Sequence, residues 1–347
     1  MTYPGAAAPD TDRKALMAAT ARFQAPSLPY SLWQFASTFL AYLAVTAAMY
    51  ALVGVSVWLA LALAVPAAGL LVRLFIVQHD CGHGSFFRSR RANDWLGRFC
   101  SAMTFAPYEF WRRQHANHHA SFNNLDRRDS GLDIYSTCAT LREYQSLSPV
   151  RRLLYRTVRN PVLTQFLLPP VVFILLYRVP FDTTPASKRE RRSVLGTNLA
   201  LAAVLGTLML LLGAVPVLMV QGATIVLASI VGVWLFSVQH RFEEAQWAHQ
   251  DAWNPVQASL DGSSYLKLPR VLQWFTGNIG FHHVHHLSPR VPNYRLQARH
   301  MARPEMGQVT TLTLRQALTA PLYALWDEDR GCMARFPRRA GAGRGAS

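Results

Sequence analysis

The sequence is short of charge, and the charge it has leans to one sign. Only 16% of its 347 residues are Asp, Glu, Lys or Arg, split into 35 basic and 19 acidic side chains, while 51% are hydrophobic. Soluble domains carry about 25% charged residues, so the chain reads as a membrane protein. Cysteine is scarce: Cys81, Cys100, Cys138 and Cys332 show no paired spacing, and disulfides are not expected. Cys81, beside Gly82 and off the face shared by His79 and His83, reads as a small packing residue. A G-x-G-x-x-G loop, a P-loop and a G-x-S-x-G elbow are all missing, which leaves dinucleotide, nucleotide and serine-hydrolase chemistry without their signatures. The stretch to Tyr30 contains Asp10, Asp12 and Arg13 and no apolar core, so a cleavable signal peptide is not expected.

Long apolar runs are plentiful. They cover residues 33–50, 55–77, 161–179, 196–215 and 217–238, with a shorter one at 95–107. A helix needs about 20 residues to span a bilayer. Histidine clusters that share one site must face one side of the membrane, so an even number of crossings separates them. Of the three long runs between His119 and His240, 161–179 is the one expected not to cross. Arg151, Arg152, Arg156 and Arg159 precede it, Lys188, Arg189, Arg191 and Arg192 follow it, and Pro169-Pro170 interrupts it. Basic flanks mark the cytoplasmic side, and proline breaks or kinks a continuous helix.

The expected fold is an all-α integral membrane protein. Four transmembrane helices (33–50, 55–77, 196–215, 217–238) form two hairpins turning near Gly54 and Pro216, with interfacial helices at 95–107 and 161–179 and a cytoplasmic, histidine-rich cap for two metal ions. Residues 1–30 form a cytoplasmic segment, 31–334 the membrane domain, and 335–347, rich in Arg, Gly and Ala, a disordered tail. The net charge of +16 then lies in cytoplasmic loops beside anionic headgroups. Nucleic-acid binding is not expected, while an acidic electron carrier suits the same basic face.

The most informative residues are histidines. Nine of the twelve fall into three clusters: His79 and His83; His115, His118 and His119; and His282, His283, His285 and His286. His240 stands alone at the end of the last long apolar run. On a helix, residues at i and i+3 or i+4 share a face, so within each cluster such side chains can converge on one ion. The eight residues other than His283 and His240 exceed what one ion takes, and two ions are the economical reading. Imidazole suits iron, copper, nickel and zinc alike, so ligand type does not name the metal.

Longer stretches carry more. HDCGHGSFF from His79, WRRQHANHHA from Trp111, NNLDRRDSGLDIY from Asn123, VQHRFEEAQW from Val238, LDGSSYLKLPRVLQWFTGNIGFHHVHH from Leu260 and SPRVPNY from Ser288 resemble the membrane-bound fatty acid desaturases, a branch of the histidine-box di-iron oxygenases. The likeness runs from about Val77 to Arg295 and is nearest to bacterial acyl-lipid enzymes related to the plant-type Δ12 (omega-6) desaturases. It implies two non-haem irons held by His79, His83, His115, His118, His119, His240, His282, His285 and His286, with the acyl chain in an internal tunnel. Front-end desaturases replace the first histidine of the third box and often carry a haem-binding HPGG motif. This chain keeps His282 and lacks HPGG, which points to a separate electron donor such as ferredoxin. The acyl-CoA branch spaces its first box one residue wider than His79 and His83, so the resemblance favours an acyl group on a membrane lipid, or on a carrier protein.

The implied reaction inserts a cis double bond into a preformed acyl chain, with O₂ and two external electrons, in a bacterial cytoplasmic membrane with termini and metal site facing the cytoplasm. The alternatives are a related hydroxylase, epoxygenase, acetylenase or carotenoid-modifying oxygenase. A metal transporter fits less well, because transport sites lie near the bilayer midplane.

Metal-bound imidazoles usually donate their second N–H to a carboxylate, carbonyl or water. Asp80, Asp129, Asp133, Glu243, Glu244 and Asp251 adjoin the clusters as candidates for that role or as solvated carboxylates. Asn278 is a candidate for a metal-linked water or a loop cap. His283 points roughly 100° away from His282 on a helix and reads as a supporting or surface residue. His249 falls on the opposite face from His240 if that helix continues, and His300 has no clustered partner, so both are expected to be solvated. Trp111, Trp247 and Trp274 are expected to anchor at the interface or pack, not to line the tunnel.

Overall fold

The computed structural model describes residues 10–128, 135–181, 183–184, 187–302, 306 and 308–337. In chain order the helices are α1 Asp10–Ala21, α2 Leu28–Val53, α3 Val57–His83, α4 Arg90–Thr104, α5 Tyr108–Ser121, α6 Leu141–Ser146, α7 Pro149–Val158, α8 Leu168–Ile174, α9 Lys188–Leu212, α10 Ala214–Val238, α11 Pro255–Asp261, α12 Arg270–Phe275, α13 His282–Leu287, α14 Asn293–Met301 and α15 Leu314–Thr319. Five short strands accompany them: β1 Ala139–Thr140, β2 Tyr265–Lys267, β3 Thr311–Thr313, β4 Tyr323–Asp327 and β5 Cys332–Arg335. β4 pairs parallel with β1 and antiparallel with β5, and β2 pairs parallel with β3. Such strands are too short to leave a period-2 pattern in the sequence, and they add small clasps to an otherwise helical protein.

Four helices, α2, α3, α9 and α10, are long and apolar enough to cross a membrane. They form the two expected hairpins, and α3 is the central one: 56% of its apolar window is buried, against 22%, 17% and 33% for α2, α9 and α10. The first hairpin turns at Gly54 and restarts where the Ser56 side chain accepts from the Leu59 amide. The second turns at Gly213, not at Pro216. Gly213 has φ +87°, a conformation glycine adopts without steric cost, whereas Pro216 sits inside the first turn of α10, where its missing N–H leaves no gap. α3 also runs well past Val77, the end of its apolar run, to His83. Backbone hydrogen bonding continues where hydropathy stops, and this carries two histidines on the last turns of a rigid element.

The run at 161–179 is broken as its prolines suggest. A π-helical turn at Leu163–Leu167 leads into α8, with Pro169 in the first turn of α8, and a 3₁₀ turn follows at Leu176–Arg178. This stretch bends 42° from α7, and the pair would count as a fifth span only if taken as one. Both ends are tied to the segments that carry histidines. Arg159 donates to the Thr137 carbonyl, Tyr177 donates to Gln114 on α5 at 3.3 Å, and Arg178 donates to the Phe105 carbonyl. α4 begins at Arg90, earlier than the apolar run at 95–107, because the Ser89 side chain caps it by accepting from Ala92. It buries Asn93, Gly97, Cys100 and Ser101 and leaves Trp95 and Phe99 exposed, the profile of a helix lying at an interface.

The terminal segments differ in part from expectation. Residues Asp10–Ala21 are helical, and the Thr20 hydroxyl accepts from the buried Arg299 of α14 at 2.8 Å. At the other end Arg335 closes β5, Phe336 packs on the Tyr144 ring at 5.4 Å, and the Pro337 carbonyl accepts from Arg156. The packed chain thus extends beyond 334 as far as Pro337; the remaining tail lies outside the described residues.

At Gly97 on α4, an added Cβ would lie 2.3 Å from the buried ring of Tyr108, whose hydroxyl donates to the Cys81 carbonyl at 2.8 Å. At Gly206 on α9 nothing lies within 4 Å. Gly97→Val should therefore destabilise the protein by about 1–3 kcal/mol through overpacking, and Gly206→Val by clearly less. Thermal unfolding of the two variants in the same detergent measures the difference.

Candidate metal centre

Three helix ends and one turn meet at the site. α3 contributes His79 and His83, α5 contributes His115, His118 and His119, and α13 contributes His282, His285 and His286. α10 stops at Val238, and His240 sits in the turn that follows, its amide bonded to the Ser237 carbonyl. The nine residues form two groups: His79, His83, His115, His119 and His285 in one, His118, His240, His282 and His286 in the other. Within each group the nearest ring nitrogens all lie within 4.8 Å of one another.

The grouping cuts across the sequence clusters. The i,i+4 pairs stay together (His79 with His83, His115 with His119, His282 with His286), but the i+3 residues His118 and His285 join the other group. Residues i+3 and i+4 are about 100° apart around a helix, so each group draws on both α5 and α13. The expectation that each cluster converges on one ion is corrected on this point.

In the second group the Nε2 atoms close a ring: His118 to His240 3.1 Å, His240 to His282 2.9 Å, His282 to His286 3.1 Å and His286 to His118 3.3 Å. In the first, His285 stands 3.2 Å from His79 and 2.9 Å from His119, which is 3.1 Å from His115. The His83 Nε2 is buried and has no hydrogen-bond partner among the described residues. A metal–imidazole bond of about 2.0–2.1 Å sets neighbouring ligand nitrogens about 3 Å apart, the spacing seen in both groups. Burial, followed by the neighbouring imidazoles, holds His115, His119, His282, His285 and His286 well below the usual histidine pKa. Neutral imidazole is the form that binds metal, so the residues present fit a pair of metal ions.

Supporting contacts are selective. The Asp80 carboxylate meets His79 Nδ1 at 3.2 Å, and its other oxygen accepts from the backbone and side-chain amides of Asn293 at 2.7 and 2.9 Å. Asn293 in turn accepts from Gln34 of α2 at 3.0 Å. Ser136 Oγ lies 3.2 Å from His118 Nδ1. Neither Asn293 nor Ser136 stands out in the sequence, since each meets its partner only through the tertiary fold.

The other acidic candidates stand apart. Glu243 is exposed and accepts from the Tyr323 hydroxyl at 2.7 Å, Glu244 is exposed, and Asp251 caps its own loop by accepting from Ala252. Asp129 and Asp133 lie outside the described residues. Asn278, at φ +60°, accepts from Gln273 at 2.9 Å and donates to the Asn293 carbonyl at 3.3 Å, a loop-fastening role.

The remaining histidines are corrected in part. His283 is fully buried, not a surface residue, and its Nε2 is 3.0 Å from Nδ1 of His300. His300 therefore has a partner, because α14 folds back against α13. Burial lowers the pKa of His283 to about 3. His249 is exposed as expected, although the helix that would have carried it ends at Val238. It bridges Asp126 at 2.9 Å and Glu328 at 3.3 Å, and these hydrogen bonds raise its pKa.

A cavity of about 430 Å³ reaches His79 and His115 of the first group and His118 and His282 of the second. Away from them its walls are mostly apolar, including Val72 on α3, Val172 on α8 and Ile225 on α10. Trp111 and Trp247 line it too, contrary to the reading of both as anchors or packing alone. Trp111 stacks on His115 with centroids 4.7 Å apart. Trp274 lies elsewhere, with the Arg73 guanidinium 4.2 Å over its ring.

His240→Ala should lower bound metal and His249→Ala should leave it intact, measured by elemental analysis of the purified protein. Asp80→Asn should weaken metal affinity by about 10–100-fold through the loss of its grip on His79, measured by chelator competition.

The comparisons with known proteins agree with this geometry. The fatty acid desaturase family model matches residues 56–314. A fatty acid desaturase of Bacillus subtilis is 42% identical over 317 residues, 91% of this chain and 89% of that protein. In Synechocystis, an sn-1 oleoyl-lipid 12-desaturase is 28% identical over 245 residues, covering 66% of this chain and 64% of its own length. An sn-1 acyl-lipid omega-3 desaturase (ferredoxin) from the same organism is 28% identical over 249 residues, covering 68% and 65%. The chain belongs to the fatty acid desaturase family and is an oxidoreductase.

Proposed function

We propose that this protein introduces a cis double bond into an acyl chain carried on a membrane lipid, using O₂ and two electrons from an external donor at a pair of iron ions. His79, His83, His115, His119 and His285 would hold one ion, and His118, His240, His282 and His286 the other. The observation that carries the reading is the apolar cavity that ends on histidines of both groups. Iron held there supplies, with O₂ and two electrons, the power to take hydrogen from an unactivated C–H bond.

The chain's own residues place the substrate. Val72, Val172 and Ile225 enclose the acyl tail, each buried methylene contributing about 0.8 kcal/mol. The same cavity is lined near the cap by Gln114, Asn117, Ser121 and Arg127, polar groups suited to a lipid's ester and headgroup. The separation between these polar groups and the histidines selects which carbons are attacked. Asp80, Ser136 and Trp111 hold the imidazoles that face the chain. The lipid-linked relatives in Synechocystis support a lipid-bound acyl group, and the one whose name includes ferredoxin supports a separate iron–sulfur donor. The basic residues of α7 and of the start of α9 support a cytoplasmic site.

Purified protein should contain about two irons per chain. Expression in a host lacking polyunsaturated lipids should yield new cis double bonds that depend on O₂, read by mass spectrometry of the extracted fatty acids. Stoichiometric zinc with activity surviving iron removal would overturn the cofactor, and hydroxylated lipid without new unsaturation would overturn the reaction.

A further inference from the structure

A second cleft, of about 600 Å³, opens directly outside the first histidine group, with Gly82, His83 and Gly84 in its wall. Six arginines line it (Arg88, Arg90, Arg112, Arg113, Arg189 and Arg290) against three carboxylates, Asp94, Glu109 and Glu190. Two of the carboxylates are already engaged. Asp94 binds Arg112 at 2.8 Å and Arg189 at 3.2 Å, and the buried Glu109 binds Arg98. Arg88, Arg90 and Arg290 are exposed and have no ion-pair partner among the described residues.

The placement of the cleft separates it from the substrate. On α5 the acyl cavity is lined by Trp111, Gln114, His115 and His118, and the basic cleft by Arg112, Arg113 and Ala116. The two open on different faces of one helix. All four residues of the second histidine group are buried, whereas His83, His115 and His119 of the first are only partly so. The cleft therefore leads to the edge of the metal centre nearest to water, on the side the acyl chain does not occupy.

We infer that this cleft is the docking surface for a small acidic one-electron carrier protein, which delivers electrons on the His83 side while lipid enters from the other. The inference rests on the desaturase reading above. In that reaction –CH₂–CH₂– with O₂, two protons and two electrons gives –CH=CH– and two waters, so two reduced carriers are each oxidised by one electron per double bond. A carrier with carboxylates around its redox centre matches the cationic rim, and such complementarity acts chiefly on encounter and orientation.

The test uses the iron-loaded protein in zwitterionic nanodiscs with a reduced acidic ferredoxin as the probe. For Arg88→Glu/Arg90→Glu/Arg290→Glu, KM for ferredoxin should rise about tenfold or more at low salt, with a matching loss of affinity for oxidised ferredoxin measured directly by calorimetry. The difference from wild type should close near 1 M salt, where the screening length is about 3 Å. Single turnover driven by dithionite and KM for the lipid should be unchanged. The triple Arg→Gln variant should show a smaller change of the same kind. An unchanged ferredoxin KM and affinity would overturn the inference. So would a rise in KM for the lipid instead, which would make the cleft a headgroup site, or an equal effect of Arg151→Glu/Arg152→Glu, which would make the attraction diffuse. If wild-type protein reduced by dithionite gives no oxidised lipid, the desaturase reading fails by itself, while the calorimetry still decides the docking.

Discussion

Nine imidazoles crowded into two groups, with neighbouring ring nitrogens at 2.9–3.3 Å, are the constraint on which the rest of the structure depends. A buried polar atom left without a partner costs about 1–3 kcal/mol, and crowded imidazoles resist a second proton because burial disfavours the charged form. A protein alone does not favour such an arrangement. Metal ions would offset the cost by taking the nitrogen lone pairs, and without them rigid elements must hold the rings in place. That need accounts for the placement of the histidines on the last turns of α3, on α5 and on α13, and for the fastening of His79 through Asp80 and Asn293 back to Gln34 on α2.

α3 and α5 serve two purposes each. α3 is the most enclosed membrane helix and carries His79 and His83 at its end, so the apolar layer and the metal centre share one rigid rod. α5 partitions the site, with Trp111, Gln114 and His118 on the apolar cavity and Arg112 and Arg113 on the basic cleft. Gly82 allows this close approach, because a Cβ there would lie 3.0 Å from the Trp111 ring. The apolar cavity and the basic cleft thus approach the histidine groups from different faces of α5.

Much of this was legible in the chain. Apolar runs of about bilayer-spanning length located four spans. The broken fifth run was legible from Pro169-Pro170 and its basic flanks. The histidines were legible as ligand candidates because so many imidazoles at i,i+4 spacing have few structural uses. Asn293 and Ser136 were not, nor was the exposure of Glu243. A residue's neighbour across the fold leaves no local mark: Asp80 and Asn293 are 213 positions apart, and a carboxylate beside a ligand in sequence can point into water.

The sequence by itself determined that the protein is helical and membrane-embedded, that its histidines gather beyond the apolar helices, and that its family chemistry is oxidative, because hydropathy, helical spacing and motif identity are local properties. Only the tertiary structure decided which imidazoles form each group, that Trp111 and Trp247 line the apolar cavity, and that His283 is buried against His300. The physical reason is that an imidazole's partner is set by the angle at which two helices meet. The 100° step between His118 and His119 sends them to different histidine groups only because α13 lies across both.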